Sequence, residues 1–148
     1  MLDSLDWHRR QNRWALYAYV LMPSHLHAII KPSNERTISG VVQSFGSFTA
    51  HAIVAQLEQK NRQDLLAFFS QRQDRDPGKK HQIWQPIQAK NAYSVAFLRE
   101  KLEYVHNNPV DKKWRLVARR TDYAYSSACF YDDEQEPIVQ VDDIREWF

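Results

Sequence analysis

The feature that most constrains the fold is a pair of apolar runs joined by a short turn. The first run, "WALYAYVLM" at residues 14–22, is rich in the aromatic and β-branched residues that strands favour. The second, "HLHAIIK" at residues 25–31, resumes the strand-like pattern. Pro23 and Ser24 between them have the chemistry of a turn. These residues therefore predict a β-hairpin.

Three other segments have apolar residues at helical spacing. Residues 2–12 predict a short helix and residues 38–57 a long amphipathic one. The segment "SVAFLREKLEYVHNN" predicts a third helix, which Ser94 can cap and Pro109 ends. Helices and strands in mixed order predict an α+β fold in which helices pack on a sheet.

The region between the second and third helices is less regular. "HQIWQPI", residues 81–87, predicts a short strand, although Pro86 limits how far it can pair on both sides. The polar residues before it end in "RQDRDPGKK" and predict a loop around Asp76 to Lys80.

The composition is that of one folded domain, with 43% hydrophobic and 26% charged residues in a chain of 148. Cys129 is the only cysteine, which excludes an internal disulfide and thiolate-rich zinc sites. Uninterrupted apolar runs are far shorter than the ~20 residues of a membrane helix, and no secretory signal pattern opens the chain. We therefore expect a cytoplasmic protein with no membrane partner.

Charge is unevenly distributed, although the net charge is only +2. Residues 131–148 carry seven acidic residues against one arginine, and we expect an acidic C-terminal tail there after a single domain of residues 1–130. Five basic residues cluster within nine positions near aromatic residues: Lys112, Lys113, Arg115, Arg119 and Arg120. The cluster suits a phosphate-rich partner, and a solvated charged face is the other interpretation.

The second run of the hairpin opens with two histidines one residue apart, His25 and His27. Residues i and i+2 of a strand project from the same face, so the two imidazoles can lie side by side. Neutral imidazole binds divalent ions, which makes the pair a candidate metal site. The structural alternative is that one histidine caps the turn and the other packs at a sheet edge.

A second cluster, "LEYVHNNPV", lies near the end of the third helix. Tyr104 and Asn108 are four residues apart and therefore share a helical face. Taken alone, such a tyrosine is typical of a core or interface, and an asparagine before proline is typical of a helix end. A phenol oxygen can attack phosphorus when a nearby metal polarises the phosphate. The two clusters together therefore suit phosphoryl transfer.

In order and spacing, these segments resemble the single-tyrosine HUH transposases, and more closely their REP-associated relatives. The resemblance rests on "YAYVLMPSHLHAII", "VVQSFGSFTAHAI", "IWQ", and "KLEYVHNNPV" with "LVARRTDYAYSSA". It implies a ferredoxin-like sandwich with a central antiparallel sheet, in which the histidines lie on a central strand. Relatives have another strand before the first helix, so we expect the first strand of that sheet to be missing here.

The resemblance also implies a role for each site residue. Tyr104 would attack a phosphodiester in single-stranded DNA, giving a 5'-phosphotyrosine and a free 3'-hydroxyl, and the reverse step would rejoin the strands. His25, His27 and Asn108 would hold magnesium or manganese. The substrate in such relatives is hairpin-forming repeat DNA. The five clustered basic residues are expected to contact its backbone, on composition and position alone.

Two other functions fit the same residues. A decayed or domesticated relative would bind hairpin DNA without cutting it, which a missing strand favours, whereas the presence of His25, His27, Tyr104 and Asn108 together disfavours it. A metal-dependent phosphodiesterase that activates water would keep its activity in a Tyr104→Phe variant. The sequence leaves both a monomer and a homodimer open.

Overall fold

The structure is a computed structural model that describes residues 1–71, 78 and 80–148. It has an α+β fold, as predicted, in which helices accompany a two-stranded antiparallel sheet. The helices and strands are α1 (Leu2–Arg10), β1 (Trp14–Leu21), β2 (Leu26–Pro32), α2 (Ile38–Gln59), α3 (Gln63–Ser70), α4 (Val95–Asn107) and α5 (Ala128–Asp132). Short 3₁₀ turns cover Asn108–Val110, Arg120–Asp122 and Ile144–Trp147.

The predicted hairpin is confirmed as strands β1 and β2. They pair antiparallel, from Leu21 opposite Leu26 at the turn to Trp14 opposite Pro32 at the open end. Most residues of β1 are buried, whereas every residue of β2 is at least partly exposed. The two strands therefore have different surroundings: β1 lies inside the fold, and β2 lies nearer its surface.

The side of β1 away from β2 is covered by the C-terminal part of the chain. Ser127 N donates to Tyr19 O at 3.0 Å, and Asp142 N donates to Leu16 O at 2.7 Å. The Asp142 carboxylate also accepts hydrogen bonds from Leu16 N at 2.9 Å and from the Arg9 guanidinium at 2.8 Å. Residues 131–148 therefore pack on the sheet. Their buried apolar residues are Val139, Val141 and Ile144.

The chain forms two compact units. The first comprises residues 1–37 and 90–148, and the second comprises residues 38–89. The core of the first unit is formed by β1, α4 and the C-terminal turn. Its buried residues include Ala18, Val20, Met22, Leu102, Val105 and Ile144. The division of the chain into a domain of residues 1–130 and an acidic tail stays a prediction.

The second unit corrects one prediction, because residues 81–87 form no strand. This segment packs on α2 through its side chains, and Trp84 Nε1 donates to Thr49 Oγ1 at 2.9 Å. Pro86 also lacks the N–H that a strand would use in pairing. Most of the loop predicted around Asp76 to Lys80 lies outside the described residues.

Helix α2 confirms the long helix predicted from residues 38–57 and extends it to Gln59. Its most apolar 18-residue stretch has a mean hydropathy of 1.2, so by length and composition α2 could cross a membrane. This differs from the expectation based on uninterrupted apolar runs, because small and uncharged polar residues interrupt a run without lowering the mean much. One such helix is weak evidence of a membrane span, since core helices of soluble proteins pass the same test of length and composition.

We predict that Asp142→Ala destabilises the fold, because the buried N–H of Leu16 and the guanidinium of Arg9 lose their shared acceptor. A buried donor left unsatisfied costs about 1–3 kcal/mol in the free energy of unfolding. Urea unfolding followed by circular dichroism measures the loss. The control is Asp133→Ala, since this carboxylate makes a longer surface pair with Arg119, 3.4 Å, and should contribute below about 1 kcal/mol. An equal loss in both variants would contradict the prediction.

Candidate active site

The two histidines of the hairpin lie where the turn leads into β2. His25 ends the turn, and His27 is the second residue of the strand. Their ring centroids are 4.9 Å apart and the ring planes meet at 77°. Ser24 Oγ lies 3.1 Å from His25 Nδ1. The hairpin thus holds two imidazoles side by side, as their spacing predicts.

The separation of the two histidine rings fits a shared metal ion and equally fits an edge-to-face ring contact. Two imidazoles on one ion have ring centroids roughly 5 Å apart when the metal–nitrogen bonds are about 2.1 Å. Burial, with a smaller contribution from charge on His25, lowers the pKa of His27, which keeps its ring neutral at pH 7 with a lone pair to donate. In the described part of the chain, no three His, Cys, Asp or Glu side chains gather around one point. Further ligands would therefore be an amide, water or the substrate.

Tyr104 lies on α4 beside this pair. The helix begins as predicted, because Ser94 Oγ accepts a hydrogen bond from Phe97 N at 3.2 Å. The ring centroid of Tyr104 is 5.1 Å from that of His27, with the ring planes at 71°. Tyr104 is 53% exposed, so much of its side chain is in contact with solvent.

Asn108 follows Tyr104 by one helical turn and is 9% exposed. Its Nδ2 donates to Tyr104 O at 2.7 Å and to Val105 O at 3.5 Å. These bonds confirm that Tyr104 and Asn108 are neighbours along one side of the helix. They also occupy the amide nitrogen with backbone carbonyls of the helix.

The structure adds two residues that the sequence analysis missed. The Trp114 ring centroid is 5.5 Å from that of His25. The Lys101 ammonium lies over the Tyr104 ring, 5.7 Å from its centroid. Lys101 could have been found, because a residue three positions before Tyr104 lies on the same helical face. Trp114 follows the helix in an irregular segment, where spacing gives no signal.

Two of the five clustered basic residues are engaged within the protein. The Arg120 guanidinium pairs with Glu103 and with Asp132, each at 2.6 Å, and these partners raise the pKa of Arg120. Arg119 pairs more loosely with Asp133, at 3.4 Å. Arg120 therefore joins α4 to α5, and its charge is already balanced by two carboxylates.

The other three basic residues, Lys112, Lys113 and Arg115, are exposed and flank Trp114. Lys113 Nζ lies 5.4 Å from the centroid of the Trp114 ring, which is itself beside His25. Contact of all five residues with DNA stays a prediction. Because their charges are not paired with carboxylates in the described part of the chain, as those of Arg119 and Arg120 are, Lys112, Lys113 and Arg115 are better placed for contact with DNA.

A buried histidine, His106, attaches α4 to β1. Its Nε2 lies 2.9 Å from Ser127 Oγ. That hydroxyl accepts from Tyr19 N at 3.0 Å and donates to Tyr19 O at 3.3 Å. The direction of the bond between His106 and Ser127 depends on which ring nitrogen carries the proton. His106 Nδ1 has no hydrogen-bond partner within the described ranges. Burial lowers the pKa of His106 to about 4.

No protein-family model, no curated protein and no solved structure matches the chain. Only the motifs and the geometry of their side chains therefore bear on the function.

We predict that stability falls as the pH is lowered from about 6.5 to about 4. In this range the unfolded chain protonates a histidine that stays neutral as buried His106 in the fold, whose pKa is about 4. The contribution is complete above pH 6.5 and its full loss is on the order of 3 kcal/mol. Urea unfolding across this range measures it. The variant His106→Gln should show a shallower slope, with part of the remainder from His8 and His27, whose pKa values are also lowered. An unchanged slope would contradict the assignment.

Proposed function

We propose that this protein is a DNA transposase of the single-tyrosine HUH type, which nicks and rejoins single-stranded DNA with Tyr104 as the nucleophile. The observation that carries the proposal is the contact of three rings: His25 with His27 at 4.9 Å, and His27 with Tyr104 at 5.1 Å. A hairpin and a helix far apart in sequence bring these side chains together, with the two histidines partly buried and Tyr104 exposed. A core would not need two histidines and an exposed phenol there.

In the proposed reaction, the phenol oxygen of Tyr104 loses its proton to water and attacks a phosphorus of the DNA strand. The new oxygen–phosphorus bond replaces the bond to the 3'-oxygen, which leaves and takes a proton from water. The products are a 5'-phosphotyrosine and a free 3'-hydroxyl. Because one phosphate ester replaces another, a 3'-hydroxyl can reverse the step and join strands without an energy source.

Each of the four residues has its own task in this proposal. Helix α4 presents Tyr104 to solvent, where single-stranded DNA can approach. His25 and His27 would hold a divalent ion, magnesium or manganese, and Asn108 would add its amide oxygen. When bound, the ion would polarise the phosphate and stabilise the charge that develops on it. Magnesium prefers oxygen ligands, so manganese is the better probe of a site with two imidazoles.

The proposal includes a ferredoxin-like sheet in which β2 is a central strand. Within the described residues, the backbone hydrogen bonds of β2 run to β1, on one side only. The other edge of β2 is the place where a further strand would pair. An open edge of this kind favours pairing with added strands.

The DNA partner would be a single strand with a hairpin. Bases stack on aromatic rings and cations follow the phosphates in such complexes. Trp114 and Lys113 lie together beside His25, next to the proposed metal site. The Trp114 ring would stack on a base, and the Lys113 ammonium would contact a phosphate. Transposition or recombination of repeat DNA is the process that this substrate and reaction would serve.

A second candidate function is binding of hairpin DNA without cleavage. The observation that favours it is the two-stranded sheet, since a hairpin with few strands holds catalytic side chains less rigidly than a full sheet. The same basic and aromatic residues would serve binding alone. The two candidates differ in whether a covalent link to Tyr104 forms.

We predict that the protein forms a covalent adduct with a hairpin oligonucleotide that carries single-stranded flanks, in manganese and not in EDTA. The Tyr104→Phe variant should form none, because it lacks the nucleophilic oxygen and little else. A denaturing gel with 5'- and 3'-labelled oligonucleotides measures the adduct and shows which strand end stays attached. Tyr125→Phe is the matched control, since Tyr125 is 51% exposed in the same unit.

Cleavage that survives in Tyr104→Phe would contradict the tyrosine mechanism and favour a phosphodiesterase that uses water. Absence of an adduct despite measurable hairpin binding would favour the binding-only function. An adduct that persists in EDTA would remove the metal from the proposal.

A separate prediction concerns the metal. His25→Ala should lower the affinity for manganese at least about tenfold, because one of two imidazole ligands is lost. It should abolish adduct formation and leave most hairpin binding intact. Calorimetric titration with manganese and fluorescence anisotropy with labelled DNA measure the two effects. His51→Ala is the control, because His51 is an exposed histidine on α2 whose ring bonds Ser47 O at 2.8 Å. Equal loss of DNA binding and metal affinity would show that His25 is structural.

A further inference from the structure

Lys101 lies next to the candidate nucleophile and has no task in the site described so far. Its ammonium is 5.7 Å from the centroid of the Tyr104 ring and 4.8 Å from that of Phe97. The positions 97, 101 and 104 follow helical spacing, so the three side chains form one stripe along α4. We call it the lysine stripe. It lies beside the buried stripe of the same helix, in which Leu102 and Val105 face the core.

The charge of Lys101 is only weakly balanced. Its one ion pair within the described residues is with Glu100, at 2.7 Å, and the Glu100 side chain is 67% exposed. Exposed pairs of this kind contribute little, about 0–1 kcal/mol. The carboxylate can therefore turn into water at small cost when a stronger anion arrives. Lys101 itself is more enclosed, because its ammonium lies near two rings and its side chain is 33% exposed.

We propose that Lys101 binds the phosphate that Tyr104 attacks and is thus a further residue of the catalytic site. The proposal rests on the proposed function, which makes that group a DNA phosphodiester. A phosphorus atom that joins the Tyr104 oxygen must lie at the rim of the ring over which the ammonium already sits. There the ammonium donates to a non-bridging oxygen, and its charge opposes the charge that develops during attack.

A purely structural role makes different predictions. If Lys101 only packs its stem against Phe97 and Tyr104, then Lys101→Met keeps that packing and behaves as the wild type. If its charge binds phosphate, Lys101→Met loses function and Lys101→Arg retains it. The variant Glu100→Gln removes the competing carboxylate and should strengthen phosphate binding. Glu100→Gln also tests the role of the Lys101 charge if Lys101→Met folds poorly.

The first measurement is binding of a fluorescent hairpin oligonucleotide with single-stranded flanks, in EDTA, over a range of salt concentrations. Loss of one phosphate contact lowers the salt dependence, d log K/d log[salt], by about 0.7 for a single strand. We expect this change in Lys101→Met, no change in Lys101→Arg, and tighter binding in Glu100→Gln. Lys60→Ala is the control, since Lys60 is exposed at the end of α2 in the other unit.

The second measurement is the rate of adduct formation in manganese, which should fall about tenfold or more in Lys101→Met and recover in Lys101→Arg. A salt dependence and a rate equal to those of the wild type in Lys101→Met would overturn the Lys101 proposal while leaving the transposase proposal intact. A changed salt dependence in a protein that forms no adduct would support the phosphate contact and count against the transposase. Absence of hairpin binding by the wild type would overturn both.

Discussion

The geometry of the candidate site depends on how α4 is attached to β1, and one serine hydroxyl makes the central link. Ser127 Oγ bonds both the N–H and the carbonyl of Tyr19 and also bonds Nε2 of His106. His106 and Tyr104 are two residues apart on α4, and one is fully buried while the other is 53% exposed. Because a helix is rigid over a single turn, fixing His106 in the core also fixes the direction in which Tyr104 projects. The hydroxyl can do this because β1 leaves both backbone groups of Tyr19 unpaired on its outer side, and Ser127 occupies them.

A second link holds the solvent-facing side of the same helix. Arg120 bridges Glu103 on α4 and Asp132 on α5, and its side chain is 21% exposed, so water screens these pairs less than ordinary surface pairs. The helix is therefore held on its buried side by a neutral hydrogen-bond network and on its outer side by ion pairs. The histidines reach the candidate site from a separate element, the hairpin, with His25 at the end of its turn and His27 in β2. The site is therefore assembled from two elements that are far apart in sequence.

The sequence predicted the elements of the site and could not predict their contacts. Strand alternation and helical periodicity are local properties, so the hairpin and α4 followed from residues a few positions apart. The contact of Tyr104 with His27 depends on how α4 packs across the hairpin, which no local pattern encodes. The error at residues 81–87 has the same origin, because a short apolar run fits a strand and also fits a segment that packs on a helix. In residues 131–148, the many acidic residues predicted a tail, although some residues there pack on the fold. Val139 is buried, and the Asp142 carboxylate accepts a hydrogen bond from the backbone of β1.

The count of basic residues was the least informative part of the sequence, because charge that is already balanced cannot serve a ligand. Arg120 has two carboxylates at 2.6 Å, and drawing it to a phosphate would leave both unpaired. Lys101 has one exposed carboxylate neighbour, which water can solvate almost as well as the ammonium does. Both cations lie on or against α4, yet only one can exchange its partner at low cost. The availability of a charge depends on the number and burial of its partners, and by that measure the better suited of these two cations is the lysine over the Tyr104 ring.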